Sequence, residues 1–222
     1  MSIPLRSHAR WGEIVSVITV VKKNDVVAIA ADMLSSFGAR KISATHNAQA
    51  SKIARIGASY IGLTGWSVHQ QVLEHLFRPV SDPPAFSSTA EIFDVFLKLH
   101  PRLKQEYFLN PRGGDDEAYE SSQMTLLIAN QHGIFGLYSM RTVLEYERFW
   151  ASGSGSDYAL GAMHAVYDAT AEAVAIAEAG VRAGIEFDDG CGAPIESHSV
   201  PLEPGTQLLE PLELLEPIGT AR

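Results

Sequence analysis

The sequence predicts an α+β fold: a four-layer αββα sandwich of two antiparallel sheets flanked by helices. Three observations carry this. The strand-like runs come as hairpins with short turns, which makes neighbouring strands antiparallel. They cluster before and after a central pair of helical segments instead of alternating with helices one by one, so a parallel βαβ design is disfavoured. A second helical pair follows the later strands, leaving one helix pair for each sheet.

The elements follow in order. Residues 16–32 hold two β-branched runs around the polar stretch Lys22–Asp25, the pattern of a hairpin. Residues 52–64 form a second hairpin, turning at Gly57–Ser59 and ended by Gly65. Val68, Val72, Leu73 and Leu76 recur at helical spacing, and Pro79, Pro83 and Pro84 stop that helix. Ser87–Thr89 with Glu91 resembles a capping box opening a helix that runs to about Tyr107. Residues 110–122 form an acidic loop. Strands are expected at Met124–Asn130, Gly133–Ser139 and Val143–Ala151, followed by a turn at Gly153–Gly155. Asp157–Ala183 is helical, in two pieces broken near Asp168–Thr170, and residues 193–202 supply a last strand. The tail from Pro204 repeats Leu-Glu-Pro-like units and is expected to be flexible or to dock on a neighbour.

Bulk properties exclude several classes. At 222 residues the chain is one domain by size, and 46% hydrophobic with 19% charged residues is ordinary for a globular protein. The net charge of −9 argues against binding nucleic acid or an anionic membrane, both of which need clustered cations. Cys191 is the one cysteine, so no internal disulfide can form. No apolar run approaches the ~20 residues that span a bilayer, and residues 1–15 carry no apolar signal core. The expected compartment is the cytoplasm. The eight histidines show no His-Glu-x-x-His pattern and no pairing with cysteine, so neither a metal nor another cofactor is expected. Gly153–Gly155 lacks the Lys and hydroxyl residue of a phosphate loop.

The chemistry-bearing residues have a characteristic arrangement. Ser16 opens a strand, Asp32 closes its hairpin, and Lys52 heads the next hairpin. Hydrolases whose nucleophile is their own first residue use such a set. From Ser16 to about Leu202 the chain resembles a proteasome-type β-subunit of the N-terminal nucleophile hydrolases. Within that family it is most similar to bacterial HslV and the HslV-derived betaproteobacterial proteasome homologues. The resemblance rests on Ser16–Asp32, Ser51–Arg55, Gly62–Gly65, Phe108–Trp150, Gly153–Gly155 and Phe187–Asp189, in the family's order.

The resemblance implies roles. Ser16 stands where the family has its nucleophilic threonine. A free α-amine on that residue has a pKa near ~7.7–8.0 and can serve as base at neutral pH, where a lysine cannot. Lys52 would stabilise negative charge on the hydroxyl, and Asp32 would hold Lys52. The Gly65 N–H would donate to the oxyanion. Ser154 and Asp188 would support the amine. Family members carry a serine three residues after that Asp; here it is Cys191, a weaker hydrogen-bond partner. Ser35, Ser36, Ala50 and Leu63 would line a small to medium, mostly apolar substrate pocket.

The implied function is a self-compartmentalising peptidase acting on peptides or unfolded proteins. It would form a homo-oligomeric double ring of 12–14 subunits, with the acidic loop facing the pore or chamber. An ATP-dependent unfoldase partner stays open. Alternatives are a non-catalytic ring subunit or scaffold, and a small-molecule amidase of the same fold. The domain plan is an extension over 1–15, the hydrolase domain over 16–203 and a tail over 204–222. The extension is expected to be a propeptide cleaved at Val15–Ser16 or a misassigned start. If retained, it marks an inactive or structural subunit.

Overall fold

The structure is a computed structural model that describes residues 15–37, 40–109 and 120–204. The extension up to residue 14, most of the acidic loop and the tail from 205 lie outside the described residues. A four-stranded sheet has the order β10-β1-β2-β11, built from β1 (Ile18–Lys23), β2 (Val26–Asp32), β10 (Phe149–Ser152) and β11 (Ile195–Pro201). A five-stranded sheet runs β5-β6-β7-β8-β9: β5 (Ile53–Ile56), β6 (Ser59–Thr64), β7 (Thr125–Asn130), β8 (Gly133–Leu137) and β9 (Val143–Tyr146). All described pairings are antiparallel.

Three apolar clusters define the four layers. Ile18, Val20, Val27 and Ile29 meet Ile53, Leu127, Ala129 and Ile134 between the two sheets. The other face of the five-stranded sheet carries α1 (Ser67–Phe77) and α2 (Thr89–Gln105), through Leu73, Ile92, Phe96 and neighbours. The other face of the four-stranded sheet carries α3 (Ser156–Val166) and α4 (Ala173–Phe187), through Met163, Ile176 and Val181 against Val17, Val21 and Ala28. The alternation of side chains along each strand sends one set to each cluster. The expected αββα sandwich is thus present.

Local chemistry explains the element ends. The first hairpin turns on Asn24 and Asp25, both with positive φ (50° and 58°), the geometry of a tight primed turn. Lys22 and Lys23, expected in the turn, are the last residues of β1 instead. The second hairpin turns at Gly57, and Ser59 already belongs to β6. The cap forms with one change: the Ser88 hydroxyl accepts from the Glu91 N–H at 3.2 Å, while the Glu91 carboxylate takes the N–H of Ser87, one residue before the N-cap, at 2.8 Å.

Two expectations need correction. The run Val143–Ala151 is two strands, broken at Glu147–Arg148. β9 stays on β8, while β10 crosses to pair with β1, with Thr19 opposite Ala151. Phe149 and Ala151 face the helices, and β1 needs a partner on its open side; both are long-range demands that a nine-residue window does not carry. A small hairpin, β3 (Ser35–Phe37) with β4 (Arg40–Ile42), was not anticipated either, because it is mostly exposed and lacks an apolar face.

Candidate active site

The site lies where β1 begins and β2, β6 and β10 end. Ser16, just before β1, is only 4% exposed. Its N–H donates to the Ser154 hydroxyl at 3.3 Å, which donates onward to Asp188 Oδ1 at 3.0 Å. Its carbonyl accepts from the Gly155 N–H at 3.1 Å, and its hydroxyl is hydrogen-bonded to the Val15 carbonyl. Gly153 makes this approach possible. Its φ is +102°, and a Cβ there would lie 2.1 Å from the Ser16 carbonyl oxygen.

Asp32 is fully buried at the end of β2. One oxygen accepts from the Val17 N–H at 3.0 Å and from Lys52 Nζ at 2.7 Å. The other accepts from the N–H groups of Leu34 at 3.2 Å and Gly192 at 3.0 Å. A buried carboxylate needs such saturation, and four donors including an ammonium provide it. Lys52, with a side chain 12% exposed, bridges the two sheets at this point. The same carboxylate thus holds the ammonium and the amide next to Ser16.

Asp188, at the end of α4, also accepts from the Gly190 N–H at 2.8 Å. The Cys191 thiol is buried and hydrogen-bonds Asp188; burial first, then the charges of Asp32 and Asp188, push it up to about 12. It is a neutral thiol and a poor nucleophile.

Gly65 lies where the chain leaves β6 for α1, exposed and with φ +121°, a conformation that suits glycine. The four pocket candidates are spread out. Ser35 starts β3 and accepts from Asn47 Nδ2 at 2.9 Å. Ser36 is exposed on the same hairpin. Ala50 is buried just before Lys52. Leu63 packs in the cluster under α1 and α2, and its N–H donates to the Lys52 carbonyl at 3.1 Å. Two surface hollows of about 370 and 420 Å³ lie elsewhere, beside α2 and beside the β5–β6 turn. No candidate site residue lines either. Among the described residues no group of His, Cys, Asp or Glu side chains could hold a metal ion, and no helix is long and apolar enough to cross a membrane.

Sequence reasoning missed the backbone donors of Leu34, Gly190 and Gly192. The glycine spacing Gly190–Gly192 after Asp188 was the available signal, since closely spaced glycines let a loop turn its N–H groups inward.

No family profile and no curated protein matches the chain. Among solved structures it is similar to the Thiobacillus denitrificans BPH in complex with epoxomicin, at 43% identity and a TM-score of 0.78, covering 85% of this chain and 100% of that one. A second structure of the Thiobacillus denitrificans BPH gives the same identity and TM-score, with 99% of that chain covered. HslV from Trypanosoma brucei shares the fold at 20% identity and a TM-score of 0.56, covering 83% of this chain and 99% of that one. The chain belongs to the HslV-derived proteasome homologues, a proteasome-type peptidase family.

Proposed function

We infer that the chain is a peptidase whose nucleophile is the Ser16 hydroxyl once the Ser16 amine is free. The carrying observation is the double grip at the start of β1. On one side Ser154, itself held by Asp188, takes the Ser16 N–H; on the other, Asp32, paired with Lys52, takes the Val17 N–H. The domain that does this is residues 16–203.

The chemistry follows from those positions. The free amine takes the hydroxyl proton as Oγ attacks the peptide carbonyl. The Gly65 N–H and the Lys52 ammonium stabilise the resulting oxyanion. The amine then protonates the departing nitrogen, the C–N bond breaks, and an ester to Ser16 remains. Water, deprotonated by the same amine, cleaves the ester and regenerates the serine. Ser154 and Asp188 orient the nitrogen throughout. While Val15 is attached, that nitrogen is an amide without basicity, so the uncleaved chain is silent. Subunits assemble into a closed double ring of 12–14 copies with the sites inside, and the substrates are peptides and unfolded proteins.

The test compares Ser16→Ala with wild type, using a peptide electrophile that bonds both hydroxyl and amine. Intact mass first establishes whether the chain starts at Ser16. The Ser16-first form should be labelled and hydrolyse peptides, and Ser16→Ala should do neither. Epoxomicin, held by the Thiobacillus protein, is expected to label this chain in the same Ser16-dependent way. Equal labelling of both proteins, or full peptidase activity with residues 1–15 verifiably attached, overturns the assignment.

A further inference from the structure

The layer between the sheets is apolar along most of its length, and apolar contact is non-directional. It keys the sheets together by packing, as where Ile18 sits on Gly62, but supplies no directional bond beside the reacting groups. The reaction proposed above needs a fixed lateral register, because its groups come from both sheets. Ser16, Ser154 and the first β1 residues belong to the four-stranded sheet, and Gly65 ends a strand of the five-stranded sheet. An attacked carbonyl must reach the Ser16 hydroxyl and the Gly65 N–H at once.

Among the described residues, two side-chain pairs tie the sheets across the gap at this end. One is Lys52–Asp32. The other has no part in the mechanism above: Thr64 Oγ1 and Ser152 Oγ share a hydrogen bond of 3.0 Å. Thr64 ends β6 immediately before Gly65, and Ser152 ends β10 immediately before Gly153. Both project into the gap between the sheets, since their neighbours Leu63 and Ala151 face the outer helices. Thr64 is 1% exposed, and its other hydrogen-bond partner, the Thr125 carbonyl, is at 3.5 Å. The pair therefore connects the residue before the candidate oxyanion donor to the loop that grips Ser16. Ser152 is also opposite Ile18 in the β1–β10 register.

We propose that Thr64 and Ser152 are positioning residues that lock the two sheets in register, so that Gly65 and Ser16 face one substrate carbonyl. This rests on the proposed function. The lock acts through geometry: a displacement of about 1 Å at a reacting centre can cost up to ~10²-fold in rate. A hydrogen bond of fixed length adds to that packing a directional restraint on such sliding, placed next to the reacting groups.

The test uses the Ser16-first protein, in which every described element is retained, and four variants: Thr64→Val, Thr64→Ser, Ser152→Ala and the double Thr64→Val/Ser152→Ala. Thr64→Val keeps the shape and removes the hydroxyl. It should lower kcat about 10-fold or more while KM stays within about two-fold, as expected when only transition-state alignment is lost. Thr64→Ser keeps the hydroxyl and should restore most of the rate. Ser152→Ala should match Thr64→Val, and the double variant should be no slower than either single one. Wild-type kcat in Thr64→Val, or a Thr64→Ser as slow as Thr64→Val, overturns the lock. Should Thr64→Val fail to fold, Thr64→Ser and Ser152→Ala decide: the lock requires the first fast and the second slow. If Ser16→Ala is as active as wild type, the site assignment itself fails and the lock falls with it.

Discussion

At the scale of single residues, the decisive feature is how completely the buried Asp32 carboxylate is satisfied. Asp32 accepts four hydrogen bonds, and only one comes from a side chain. Losing Lys52 therefore leaves three backbone donors on the carboxylate but removes the ammonium. Lys52→Ala is expected to lower the peptidase rate by ~10²–10³, the range for one preorganised electrostatic contact. Steady-state kinetics on the purified variant check this, and a rate within a few-fold of wild type would remove Lys52 from the mechanism. Cys191 allows a prediction about pH. Its thiol is held neutral, with a pKa pushed up from 9.0 to about 12. The folded state thus binds that proton more tightly than the unfolded state. Its contribution is fully present below the unfolded value and is lost as pH rises from about 9 toward about 12. Relative to Cys191→Ala, wild-type stability should fall across that window by up to ~1.4 kcal/mol per pH unit. Denaturant unfolding of both proteins at pH 8 and pH 10 measures the difference, and parallel curves contradict it.

At the scale of elements, close backbone approach matters more than side-chain choice. The Gly153–Gly155 loop lies on Ser16 so tightly that no side chain fits at Gly153. Gly153→Ala combines a left-handed φ with a clash against backbone, which has no rotamer by which to yield. The expected outcome is a loss of ~2–3 kcal/mol of stability together with loss of Ser16 labelling. Thermal melts and mass-detected labelling report these separately, and a normally labelled, equally stable variant would show that the loop tolerates a shift. Gly62 has a related role between the sheets: a Cβ there would lie 2.6 Å from Ile18 Cγ2. Its absence lets β6 settle against β1 at the spacing the site requires.

At the scale of the whole molecule, several large apolar side chains face outward. Phe93 and Leu97 on α2, Met140 and Leu144 around the β8–β9 turn, and Phe187 at the end of α4 are all exposed. Scattered exposed side chains are ordinary, but Phe93 and Leu97 share one helix face, and Phe93 and Met140 line one hollow. A face of this kind is what the subunit contacts of the proposed ring would cover. The protein is expected to sediment as an oligomer of 12–14 subunits at micromolar concentration. A monomer in sedimentation velocity would contradict the ring.

Much of this was legible in the sequence because it is encoded locally. The hairpin at 16–32, the helix punctuated by prolines at 79, 83 and 84, and the capping box at Ser88 and Glu91 each follow from short-range spacing and turn chemistry. Their order predicted the sandwich, and the ordered motifs pointed to Ser16, Asp32 and Lys52. Tertiary structure alone decided three other matters. It sent β10 to the opposite sheet from β9, since strand partners depend on which edge is open. It brought the Leu34 and Gly192 N–H groups onto Asp32, since glycine spacing marks a loop that turns its N–H groups inward but not the carboxylate they reach. It joined Thr64 to Ser152 across 88 positions of chain. Such pairings are set by the packing of two sheets against each other, a long-range balance of burial and directional bonding that no local window contains.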